Sequence, residues 1–246
     1  MEPPPSDPES GARPTLAARL LDPPSRAIDA MKIAGVATMA CDHANKLLLQ
    51  QSVPAMEGIG RLAFPLFAFV VAANYARRTR RPAAYFVRLV VWGLATQPVY
   101  VWATGRRDLN ILLTLAVGVQ LIEAVRRLGG ARSRRERLDS GLWLALVVAA
   151  SLVPDYPLLG PLLVLACHAW LERPTPDRAL LALVLLAALN LDPAWALPTL
   201  AALPLALAFA LRPPPMPRVP GWLFYLFYPA HLAGLRLIAL YAPLTH

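Results

Sequence analysis

The sequence predicts an all-α protein, a polytopic membrane bundle of about nine transmembrane helices. Apolar residues make up 57% of the 246 residues and charged residues only 16%, which is too apolar for a soluble domain of this length. Apolar runs of about 20 residues recur along the chain, each closed by arginine or proline, and this length crosses a bilayer. The chain is therefore expected to lie in a membrane.

The apolar runs divide the chain into nine predicted spans, in which the fifth to the eighth are short and interrupted by proline. A Pro-rich, charged segment precedes the first span and lacks the apolar core of a signal peptide. We therefore expect a disordered cytoplasmic tail over residues 1–25 and a transmembrane domain over 26–246. The predicted spans cover residues 28–50, 58–76, 83–103, 109–127, 140–154, 156–171, 177–191, 193–211 and 221–241.

The basic residues predict the orientation of these spans. Most of the 24 lysines and arginines fall in alternate loops, including the clusters Arg77–Arg81 and Arg126–Arg137. Cytoplasmic loops carry such an excess, so the N-terminus is expected inside and the C-terminus outside. Both clusters are interpreted as topology determinants, and a role in holding the phosphates of a donor is the alternative. Because the net charge of +9 is spread over short loops, nucleic acid is not an expected partner.

The first span, Met31 to Gln50, carries an unusual group of polar residues. Asp42, His43, Asn45 and Lys46 lie within its second half, where each charge costs several kcal/mol in lipid. Asp42 and Lys46 are four residues apart and can pair on one helix face, which lowers that cost. A structural polar contact between helices is the alternative to a functional site.

Other polar residues are predicted to reach the same outer end of the bundle. Arg61 opens the second span, Asn110 opens the fourth, and Asp155 lies in an outer turn. They are expected to converge on one cavity with His43 at its floor. His231 and Tyr228 lie in the last span, beside Pro229. Pro65 in the second span is expected to open its helix.

Several common sequence motifs for catalysis and nucleotide binding are absent from the sequence. No P-loop, dinucleotide fingerprint, zinc-protease motif or serine-hydrolase elbow occurs. The two cysteines, Cys41 and Cys167, fit no metal or redox spacing and are interpreted as small buried hydrophobic residues. No metal is expected.

Five stretches, taken in order, resemble the TraX family, which is named for the protein that acetylates the N-terminus of conjugative pilin. They span about residues 28–240. One position departs from the family pattern, because Pro157 stands where glycine is expected. The stretches are Lys32 to Lys46, GRLAFPLFAFVVAAN from Gly60, NILLTLAVG from Asn110, DYPLLGPLL from Asp155 and FYLFYPAHL from Phe224. The resemblance implies a multi-pass protein of the bacterial inner membrane that moves acetyl groups from cytoplasmic acetyl-CoA to an outside acceptor. The acceptor would be a protein or glycan, with membrane lipid as a further partner.

By this resemblance, His43 and Asp42 carry the chemistry. Acyl transfer needs a base near neutral pH, which suits His43, and Asp155 is the alternative to Asp42 as the group that orients its ring. Substrate binding is assigned to Asn45, Lys46, Arg61, Asn110, His231 and Tyr228. A proton-coupled transporter or a non-catalytic assembly factor would also tolerate such a polar stripe, and both remain alternatives.

Overall fold

The structure is a computed structural model that describes residues 16–190 and 193–241, and the regular secondary structure of these residues is helical apart from one isolated β-bridge between Leu109 and Pro154. Residues 1–15 of the predicted tail lie outside the described part, and the end of that tail forms the first helix. The helices are α1 (Leu16–Leu21), α2 (Ser25–Leu48), α3 (Pro54–Gly60), α4 (Ala63–Ala73), a π-helical turn (Asn74–Arg78), α5 (Pro82–Thr104), α6 (Ile111–Gly130), α7 (Arg134–Ala150), α8 (Leu159–Glu172), α9 (Pro176–Ala188), α10 (Pro193–Leu200), α11 (Ala202–Leu211) and α12 (Gly221–Tyr241).

Each of the nine predicted spans coincides with one helix or with two consecutive helices. The second is divided into α3 and α4, and the eighth into α10 and α11. The break in the second span lies at Arg61 and Leu62, one turn before Pro65, and Pro65 cannot donate to the carbonyl of Arg61, which agrees with the expectation that Pro65 opens the helix. Pro65 is the third residue of α4, in the first turn, where a missing backbone N–H breaks no helical hydrogen bond.

Helices α4, α6 and α8 form the centre of the bundle, and α2, α5 and α12 pack on one side of it. Phe64, Val119 and Val164 lie in the central apolar cluster. Gly118 allows α6 to approach α8 closely, since a Cβ at Gly118 would lie 2.8 Å from the Cβ of Val164. This packing holds the ends of α2, α5, α6 and α8 together at one end of the bundle.

Two helical stretches among the described residues are long and apolar enough to cross a membrane, Pro54–Arg78 and Gly221–Tyr241. Leu159–Glu172 and Leu197–Leu211 are apolar but shorter. Large apolar side chains are exposed on several helices, among them Val91 and Leu94 on α5, Leu142 on α7 and Leu180 on α9. An apolar surface this extensive marks a contact with lipid or with another protein.

Candidate active site

His43 and His231 form the centre of the candidate site, where α2 meets α12. Nδ1 of His43 lies 2.8 Å from Nε2 of His231, and the rings stack with centroids 5.1 Å apart. Nδ1 of His231 lies 2.9 Å from the carbonyl oxygen of Phe227, one turn earlier in α12. The three groups therefore form a hydrogen-bonded chain from a backbone carbonyl to His43.

This chain fixes the protonation pattern of both neutral rings. The Phe227 carbonyl can only accept, so Nδ1 of His231 carries the proton and its Nε2 holds a lone pair. That lone pair accepts the hydrogen bond from Nδ1–H of His43, which leaves the lone pair of His43 on Nε2. No hydrogen bond from the described residues reaches Nε2 of His43. A neutral imidazole with an accepting Nε2 is the form needed for a general base.

The partner of His43 differs from the predicted one. Asp42 and Asp155 are the predicted candidates to orient His43, but in the described structure the His43 ring donates its hydrogen bond to His231. Adjacent residues on a helix point about 100° apart, which turns Asp42 away from His43. Asp42 instead accepts a hydrogen bond from Lys46 at 2.6 Å, so the predicted pairing of these two residues is confirmed.

A cavity of about 250 Å³ lies beside His43, and we call it the histidine cavity. Its polar and aromatic lining combines residues from α2, from the end of α5 and from the turn before α8. These residues are Asp42, His43, Lys46, Gln51, Tyr100, Thr104, Arg106, Asp155, Tyr156 and Tyr228. Of the residues expected to share one cavity with His43, Asp155 lines it, and Arg61 and Asn110 do not.

Arg106 connects the two loops at the mouth of the histidine cavity. Its Nε donates to Asp108 at 3.0 Å and its Nη2 donates to Asp155 at 3.1 Å. Burial raises the pKa of Asp155, although the charge of Arg106 acts in the opposite direction. Burial would also raise the pKa of Asp108, but the hydrogen bond and the positive charge of Arg106, together with further hydrogen bonds, outweigh burial and lower this pKa. The result is one cation held between two carboxylates.

The turn that carries Asp155 is tied to the loop before α6. The backbone N–H of Asp155 donates to Leu109 at 2.8 Å, and its carbonyl accepts from the Thr114 hydroxyl at 2.6 Å. Tyr156 and Leu158 have φ of 56° and 57°, on either side of Pro157. Residues other than glycine rarely adopt a positive φ, and residues with such backbone strain are concentrated at functional sites.

Four residues predicted to bind substrate lie outside the lining of the histidine cavity, and one of them, His231, contacts His43 instead. The Asn45 side chain is fully buried and bonds the backbone of Val53 in both directions. Asn110 caps α6 and donates to Gly93 and Gln97. Arg61 donates to Glu57 at 2.6 Å. A contact of these residues with substrate stays a prediction.

Comparison with known proteins identifies the family of this fold and site. The model of the TraX protein family matches residues 27–239, most of the chain. The chain belongs to the TraX family. Protein TraX of Escherichia coli is 34% identical over 229 residues, which cover 86% of this chain and 87% of the relative. Protein TraX of Escherichia coli strain K12 is 33% identical over 121 residues, 47% of this chain and 46% of the relative. No solved structure matches.

The TraX family match includes both histidines of the site. Sequence reasoning missed five of the polar and aromatic residues that line the histidine cavity, namely Gln51, Tyr100, Thr104, Arg106 and Tyr156. Tyr100 and Tyr156 resemble the aromatic residues of a membrane interface, and Arg106 resembles a solvated loop residue. One feature of the sequence does single out Arg106. It lies in a loop on the predicted outer side of the membrane, where basic residues are rare.

Proposed function

We propose that this chain is an integral membrane acetyltransferase of the bacterial inner membrane. It would move an acetyl group from cytoplasmic acetyl-CoA to an amine or hydroxyl on the outer side, on a protein such as pilin or on a glycan. The observation that carries this proposal is the chain from Phe227 through His231 to His43, which leaves a lone pair on His43 Nε2 at a polar cavity.

The membrane assignment rests on the whole bundle. All nine predicted spans correspond to helices, and α5, α7 and α9 expose large apolar side chains such as Val91, Leu142 and Leu180. The basic clusters Arg77–Arg81 and Arg126–Arg137 lie at the same end of the bundle, opposite the histidine cavity. The site would therefore open to the outside.

The proposed reaction uses His43 as the proton carrier. Nε2 of His43 takes the proton of the acceptor amine or hydroxyl, whose nitrogen or oxygen attacks the thioester carbonyl. His231 accepts the hydrogen bond from the resulting imidazolium, and the Lys46 ammonium faces the negative charge of the tetrahedral oxygen. The carbonyl re-forms, the carbon–sulfur bond breaks, and the thiolate takes the proton back from His43.

Two measurements test this proposal. In sealed vesicles, radiolabelled acetyl-CoA on the cytoplasmic face should label an acceptor on the opposite face, and His43→Ala should abolish the labelling while the protein still inserts. Retained transfer in His43→Ala would refute His43 as the base. Absence of transfer from wild-type chain would favour the transporter or the assembly factor. Reporter fusions at Thr104 and Ser133 should lie outside and inside, and the same side for both would refute the orientation.

A further inference from the structure

A second cavity, of about 400 Å³, lies between α2, α4, α5, α6 and α12, and we call it the aromatic cavity. Seven of its lining residues are aromatic, and its two cations are Lys32 and Arg88. The residues that line it include no acidic side chain. Charge complementarity therefore favours a ligand that is anionic at one end and apolar along its length.

The two cations differ in how far they are neutralised. The guanidinium of Arg88 lies 5.3 Å from the ring of Tyr85 and 5.9 Å from that of Tyr225, and no acidic residue among those described pairs with it. Lys32 donates to Asp29 at 2.9 Å and lies 5.1 Å from the ring of Phe224. Arg88 is exposed at the mouth of the cavity, where its planar fork of donors suits a phosphate.

Four arginines of the clusters singled out in the sequence are already engaged within the chain. Arg77 donates to the carbonyl of Leu171 at 2.7 Å, and Arg78 donates to that of Pro23. Both Arg126 and Arg127 pair with Glu123. The expectation that these clusters hold a donor's phosphates is therefore less favoured than a site at Arg88.

The aromatic cavity and the histidine cavity lie next to each other. They share Met39, Ile111 and Tyr228 as lining residues. From Lys32 to His43 is 11 residues of α2, or about 16 Å along its axis. An extended pantetheine arm of roughly a dozen covalent bonds covers about the same length. The π-helical turn that follows α4 begins at Asn74, and Asn74 lines the aromatic cavity. Such π-helical turns are frequent at functional sites.

We propose that the aromatic cavity binds the coenzyme A donor. Arg88 and Lys32 hold its phosphates at the mouth, and the pantetheine arm follows α2 and passes Met39 and Tyr228 to bring the thioester to His43. This assignment rests on the proposed function, but it concerns binding of the donor and can be tested without any acetyl transfer.

The first test is calorimetric titration of the purified full chain, in lipid nanodiscs, with coenzyme A. Arg88→Gln removes the charge and should raise the Kd by about 10-fold or more, the effect of losing a charged hydrogen bond. Arg127→Gln is the matched control, because Arg127 pairs with Glu123 outside the cavity, and its Kd should equal that of wild type. Equal affinities for Arg88→Gln and wild type would overturn the proposal.

The second test keeps Arg88 in place. In a chain with Cys41→Ala and Cys167→Ala, Met39→Cys places a thiol where the two cavities adjoin, one turn from His43, and coenzyme A disulfide should exchange with it and add one coenzyme A to the mass. Val91→Cys, on the exposed face of α5, should stay unlabelled. No labelling of Met39→Cys, or equal labelling of both, would overturn the site.

The two proposals fail separately. Binding that depends on Arg88 without any acetyl transfer would refute the enzyme and leave the donor site. Acetyl transfer with unchanged donor affinity in Arg88→Gln would refute the donor site and leave the enzyme.

Discussion

His231→Leu is the change that tests the hydrogen-bonded chain most directly. Leucine removes the lone pair that accepts from Nδ1–H of His43 at 2.8 Å. A buried donor left without a partner costs about 1–3 kcal/mol, which corresponds to roughly 5- to 150-fold in rate if the ring must be held in the same form in the transition state. His43→Ala should cost more, about 10²- to 10⁴-fold, because the base itself is lost.

The assay measures initial rates of transfer from radiolabelled acetyl-CoA by purified chain in nanodiscs. His231→Leu should lower kcat and leave the KM for acetyl-CoA unchanged, since His231 lines neither cavity. His231→Gln should retain more activity, because its amide oxygen can accept the same hydrogen bond. His168→Leu, at a buried histidine of α8, is the control and should retain wild-type turnover. A wild-type kcat in His231→Leu, or equal losses in the leucine and glutamine variants, would refute the positioning role.

Three further predictions concern stability and are read as melting temperatures of purified variants. Gly60→Ala would place its Cβ 2.7 Å from Cγ of Asp42 and should destabilise the bundle by about 1–3 kcal/mol, whereas Gly129→Ala meets open space and should be far milder. Asp42→Asn and Lys46→Gln should each lower the melting temperature more than the double variant does, because each alone leaves its partner's charge unpaired; additive losses would contradict this. The raised pKa of Asp155 means that the folded chain binds this proton more tightly, so its contribution to stability falls as pH rises above about 4. Asp155→Asn should therefore gain melting temperature relative to wild type as pH rises above about 4, and a relative loss would show the sign to be wrong.

Local spacing allowed much of the fold and part of the site to be predicted. The apolar runs located the helices, and the four-residue spacing of Asp42 and Lys46 gave their pairing. Asn110 caps the N-terminus of α6, and its position directly before an apolar helix is a local signal for capping. From the sequence alone, this residue is assigned to substrate binding instead. Such features depend on residues within one or two turns of each other.

No residue close to His43 in the sequence indicates that His231 is its hydrogen-bond partner. His231 is 188 residues away, and a single sequence does not show which face of α12 meets α2. The close contact between Gly60 and Asp42 likewise has no local signal, because it joins two helices. Asn45 lies on the same helix face as Asp42, but the loop at Val53 provides it with two backbone hydrogen bonds. Tertiary contacts decided each of these outcomes.

The separation of the two histidines along the chain has a consequence for biosynthesis. His43 lies in α2, among the first helices to leave the ribosome, whereas His231 lies in α12, the last helix described. A nascent chain halted before α12 holds His43 without the acceptor that orients it. Maturation of the site is therefore a late event, and chains that stop short of α12 should accumulate as inert intermediates.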